Sequence, residues 1–78
     1  MRIITDIKPL NDFRLECVFN NGEKKIASIK PFLKSEVFKP LNDPKVFFST
    51  IYNGGYYIVW KDYEIDLSAD TLWHIADK

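Results

Sequence analysis

The stretch "VWKDYEIDLSADTLW", Val59 to Trp73, is where side chains capable of chemistry crowd together. Asp62, Glu64 and Asp66 alternate with Tyr63, Ile65 and Leu67, so a continuous strand would line three carboxylates along one face. Such a row could hold a hard cation, or supply a carboxylate pair for general acid–base work. A calcium or magnesium site, however, gathers its oxygens from a loop that bends round the ion. Alternate side chains on a straight strand stand about 7 Å apart, too far for all three to grip one ion. Acid–base catalysis asks for a carboxyl group set against an apolar wall, and alternation alone places none there. A small-ligand or metal binder at this acidic strand is kept as an alternative. The simpler reading is a solvated acidic face that protects a sheet edge.

Other reactive types are sparser. His74 shares a helical face with Asp70 and Asp77, but one histidine with two exposed carboxylates does not complete a zinc set. Cys17 falls on the apolar side of a strand, where a thiol is normally inert packing. The two short glycine motifs, "NNG" and "NGG", are hairpin turns, and neither opens a helix as a phosphate loop must. Catalysis is not expected, and no cofactor is implied.

Aromatic residues are the stronger signal. Tyr52, Tyr56, Tyr57, Trp60, Tyr63 and Trp73 fall within one short segment. Alternation sets Tyr56, Ile58 and Trp60 on one face and Tyr57, Val59 and Lys61 on the other. A helix covering one face leaves aromatics showing on the other, where Tyr and Trp are typical interface anchors. The candidate partner-binding surface is therefore Tyr56, Tyr57, Trp60 and Tyr63 with Asp62, Glu64 and Asp66. Ordinary cross-strand and core packing is the competing account.

Net charge is zero but unevenly spread. Residues 1–39 carry eight Lys/Arg against five Asp/Glu, whereas residues 40–78 carry three against six. Lys24, Lys25, Lys30, Lys34 and Lys39 form a candidate basic patch. A nucleic-acid binder of this size usually has an overall basic surplus, so that role stays an alternative. The polarity of the chain suits a protein partner or self-association better.

These side chains need elements to position them. "FRLECVF" alternates with period two, turning Phe13, Leu15, Cys17 and Phe19 to one face. "NNG" leads into "EKKIASI", where Ala27 and Ile29 share a face. A three-residue loop, Asn20-Asn21-Gly22, pairs Phe13 with Ile29 and Leu15 with Ala27. A two-residue loop would instead pair Phe13 with Lys30, so the longer loop is expected, with Gly22 left-handed. Residues 2–10 read as a preceding strand ended by Pro9. "KPFLKSEVFKPL" is a structured connection whose Phe32, Leu33, Phe38 and Leu41 close over the core. Asp43 before Pro44 starts a short helix. "NGG" at residues 53–55 turns into the strand "YYIVW", expected to run on through "KDYEIDL". Ser68 then caps a second helix, with Leu67 and Leu72 as its staple and Ala69, Leu72, Trp73 and Ala76 as its buried stripe.

At 78 residues with 46% hydrophobic content, the chain is one domain, residues 1–78, with a packed core of modest extent. It has no apolar run of about 18 residues, and its start lacks the apolar segment of a secretory leader. With a single cysteine, a cytoplasmic setting is expected.

The combined pattern resembles the bacterial family called domain of unknown function 2442. The likeness spans nearly the whole chain. Its most specific parts are Phe38, Leu41, Asp43 and Phe47 as a unit, and Trp60 with Asp66, Asp70, Thr71 and Leu72. Ala69 stands where the family commonly has Pro, Trp73 where it has Tyr, and Ile29 where an Asp often stands. The resemblance implies small bacterial proteins without assigned activity, some beside or fused to other small domains as in toxin–antitoxin pairs, others fused to a helix-turn-helix. Both arrangements point to binding.

The expectation is an α+β fold: a small, twisted, mostly antiparallel sheet in the order β-β-β-α-β-β-α with helices on one face. The expected function is a non-enzymatic protein-interaction or regulatory module, with an antitoxin-like role as one form of it.

Overall fold

A computed structural model describes residues 2–76. β1 (Ile4–Leu10), β2 (Arg14–Phe19) and β3 (Lys24–Ser28) form one antiparallel sheet in that order. The hairpin register is the expected one. Leu15 pairs with Ala27, and the Ile29 N–H donates to the Phe13 carbonyl at 3.0 Å. Gly22, at φ +87°, closes the three-residue loop. Pro9 does not end β1; it lies within that edge strand opposite Leu15, where a missing N–H is tolerated. The reversal into β2 holds Asp12 and Phe13 left-handed.

The connection holds two 3-10 turns, Lys30–Lys34 and Lys39–Asn42. Leu41 is fully buried, and Phe32, Leu33 and Phe38 pack against the core as expected. α1 (Pro44–Phe47) begins where Asp43 accepts the Lys45 N–H at 3.0 Å. Its one turn turns Val46 and Phe47 inward. The Phe47 ring meets Phe13 edge-on at 5.4 Å and lies 6.0 Å from Trp60, so it bridges the first sheet and the next strands.

β4 (Ile51–Asn53), β5 (Tyr57–Trp60) and β6 (Ile65–Ser68) form a second antiparallel sheet in chain order. α2 (Ala69–Ile75) follows, with the Ser68 hydroxyl accepting the Thr71 N–H at 3.1 Å. Ala69, Leu72 and Ala76 of the expected stripe are buried, and Trp73 is half-buried against Phe19. The α+β class stands. In place of one sheet of about five strands the described residues form two three-stranded sheets, in the order β-β-β-α-β-β-β-α. They meet where the Ile4 N–H donates to the Gly55 carbonyl at 2.7 Å and the Asn53 amide donates to the Ile4 carbonyl at 3.0 Å. One set of buried apolar side chains, from Ile4 to Ala76, is shared by both sheets.

Candidate functional site

The acidic row does not form. The chain reverses after Trp60, which pairs with Ile65, and the Tyr63 N–H donates to the Trp60 carbonyl at 3.0 Å. Asp62 and Glu64 therefore sit in a turn, with Glu64 left-handed at φ +53°, and only Asp66 lies on a strand. The reason is parity. In a continuous strand Asp62 would share the face of Ile58 and Trp60, both fully buried. Four residues of turn shift the phase, so Ile65 and Leu67 join that inner face and Asp66 points outward. Among the described residues no three His, Cys, Asp or Glu side chains converge as a metal site.

Trp60 leaves the candidate surface altogether. It is fully buried, and its indole N–H donates to the Phe47 carbonyl at 3.0 Å, an acceptor exposed by the end of α1. Tyr56, Tyr57 and Tyr63 are exposed, and Tyr52, 48% exposed, joins them. The register builds the outer face of the second sheet directly: Tyr52, Val59 and Asp66 lie in one row across three strands, and Tyr57 pairs with Ser68 in the next. Tyr52 and Tyr57 are therefore diagonal neighbours, ring centroids 6.3 Å apart and tilted by 48°. Tyr52 was legible from the "NGG" turn, whose geometry sets it opposite Val59. Its place in a strand of only three residues hid it.

Tyr57 is held in place by a glycine. A Cβ on Gly54 would lie 2.6 Å from Tyr57 Cζ and 2.7 Å from Cε1, so the phenol ring lies over bare backbone at the end of β4. Tyr57 remains 42% exposed. Asp66 on the same face, and Asp62 and Glu64 in the turn at the far end of β5, are in no ion pair among the described residues. Asp6 and Asp43 are also in no ion pair among the described residues, whereas Asp12, Glu16, Glu23, Glu36 and Asp70 are paired.

The basic patch is largely spent on acids of the first sheet and of the connection that follows it. Lys24 reaches Glu16 at 4.0 Å, Lys30 reaches Asp12 at 2.6 Å and Lys39 reaches Glu36 at 3.2 Å. The hydrogen bond from Lys30 holds the Asp12 carboxyl below its usual value. Lys25 is not on the wet face. It pairs with Cys17 on the inner side of β3, only 14% of its side chain is exposed, and its ammonium lies 3.5 Å from the centroid of the Trp73 ring. Lys34 is exposed and in no ion pair among the described residues.

Arg2 lies over the same indole, 4.7 Å from its centroid, and pairs with Asp70. A depression of about 360 Å³ opens beside them between Arg2, Phe19, Asn20, Asn21 and Trp73. His74 Nε2 also approaches Asp70, at 3.6 Å, while Asp77 lies outside the described residues. Cys17 has no exposure, and burial, aided by Glu16, pushes its thiol up to about 12. His74, by contrast, is exposed.

A family model described as "protein of unknown function (DUF2442)" matches residues 4–78. No curated protein and no solved structure matches the chain.

Proposed function

The chain belongs to the DUF2442 family of proteins of unknown function, and from that premise we propose a non-enzymatic protein-interaction module that docks a partner on the outer face of its second sheet. The observation that carries this is the pairing of exposed rings with unpaired acids. Tyr52 and Tyr57 on that face, and Tyr56 and Tyr63 in the turns at the two ends of β5, are each more than 40% exposed, and Asp62, Glu64 and Asp66 are in no ion pair among the described residues. Tyrosine offers a large contact area with little side-chain entropy to lose, which suits an interface core. Carboxylates at its margin give orientation and exclude acidic partners. A bacterial, cytoplasmic, antitoxin-like or otherwise regulatory role is one setting in which such a module works, and self-association is another. The nucleic-acid alternative has less support, because four of its five lysines are ion-paired with nearby acids of this chain.

Co-expression with the product of the adjacent gene tests the proposal. The complex should protect amides of β4–β6 from hydrogen exchange, and a Tyr52→Ser/Tyr57→Ser variant that keeps its melting temperature should lose association. No association, together with a monodisperse monomer in solution, counts against it. So does protection confined to the first sheet.

A further inference from the structure

We infer that the segment docking on this face presents arginine, whose guanidinium lies on Tyr57 and pairs with Asp66. The inference rests on the docking proposal above and names the partner's chemistry.

The argument starts from what covering the face would do to Asp66. Asp66 stands outward in the middle of β6, opposite Val59, and has no cation within 4.0 Å among the described residues. An apolar partner laid over Tyr52, Val59 and Tyr57 would strip water from that carboxylate and leave it unpaired, which is strongly unfavourable. Lys61, in the turn beyond Trp60, makes no ion pair with Asp66, so a positive charge brought by the partner is what would satisfy that carboxylate. Tyr57 fixes which kind. It pairs with Ser68, two residues along from the Val59–Asp66 pair, so ring and carboxylate are diagonal neighbours on the same face. That separation, about 7–8 Å between backbones, is within reach of one long side chain. The ring lies over Gly54 backbone, and Tyr52 meets it at a tilt of 48°, so its orientation is set before binding.

A guanidinium is planar, weakly hydrated and carries its donors along its edge. It can lie on a ring while donating two hydrogen bonds sideways to a carboxylate. An ammonium satisfies the charge but cannot do both with one flat group. Asp62 and Glu64, in the turn that ends β5, extend the negative field beside the face and would attract further cationic residues of the same segment.

The probe is a capped peptide of alternating arginine and serine, titrated into the isotopically labelled chain and followed by amide chemical shifts. Its lysine counterpart is the control. Shifts should centre on Tyr57, Val59, Asp66 and Ser68, and the arginine peptide should bind at least about threefold more tightly than the lysine one. Asp66→Asn and Tyr57→Leu should each weaken it by a similar factor. Gly54→Ala, which displaces the ring without removing it, should narrow the arginine–lysine difference. Equal binding of the two peptides, shifts centred on the first sheet, or an unaffected Asp66→Asn variant would overturn the inference. If the adjacent gene's product protects β4–β6 yet loses nothing when its arginines become lysines, this inference alone falls and the docking proposal stands.

Discussion

Cys17 shows how a residue's chemistry follows from the face it occupies. Its thiol points into the core beside Leu15 and Phe19, and burial holds its ionisation up at about 12, well above the ordinary value of 9.0. The unfolded thiol releases its proton near 9 and the folded one does not. Stability from this group is therefore fully present below pH 9 and falls as pH rises from 9 towards 12. At pH 8 a disulfide reagent should modify Cys17 only through opening of the fold, at a rate that rises steeply with urea. Modification as fast as that of the unfolded chain would mean that the thiol is accessible. Inert packing for Cys17 was legible from the alternation of "FRLECVF". The same alternation carried Lys25 inward with Ala27 and Ile29, yet residue type argued for the surface. What reconciles the two is the long aliphatic stem, which lets the ammonium leave the core along Trp73. An inward charge near the end of an edge strand also discourages pairing with another chain.

At the scale of elements, legibility tracked turn chemistry. Gly22, Asp43-Pro44, Asn53-Gly54-Gly55 and Ser68 are residues that only a few backbone geometries prefer, and each sits in the turn or cap expected of it. The turn at residues 61–64 has no Gly, Asn or Pro, and the left-handed position falls to Glu64. Asp62 is the one turn-favouring residue in it, too little to announce a reversal. The signal lay in parity: buried positions are even at Ile58 and Trp60 and odd at Ile65 and Leu67, which no unbroken strand allows. A strand drawn unbroken through residues 61–64 loses the sixth strand and sets Trp60 on the acidic face. The left-handed conformation at Glu64 can be tested directly. Glu64→Gly should leave stability within about 1 kcal/mol of the parent, because lost strain offsets added chain entropy. Glu64→Val, β-branched at the same φ, should cost about 1–2 kcal/mol in urea unfolding. Equal costs for the two would mean that residue 64 is not held there in solution.

For the whole molecule, the question is whether two three-stranded sheets behave as one unit. Neither is large enough to stand alone, since isolated small sheets need a packed face to persist. The core between them is shared: Phe13 of the first sheet's reversal touches Phe47, and Phe47 lies beside Trp60 of the second. The charge split of the sequence maps onto this division, with the basic excess in the half that holds the first sheet and the acidic excess in the half that holds the second. Asn53 is the polar rivet. Its amide donates to the Ile4 carbonyl, and its side-chain oxygen accepts the Gly55 N–H at 2.9 Å, so one residue shapes the hairpin turn and ties it to β1. Asn53→Ala should cost about 1–3 kcal/mol, since the Ile4 carbonyl loses its side-chain donor in a part-buried place. The two tryptophans separate the readouts. In a Trp73→Phe background the emission of Trp60 follows the second sheet, while far-UV circular dichroism follows the whole chain. Their urea transitions should coincide, and Asn53→Ala should shift both together without parting them. If Trp60 were instead released before the remaining structure melts, the shared core would not couple the sheets. The docking face would then belong to a separately unfolding unit, and its fixed rings would have to be ordered by the partner itself.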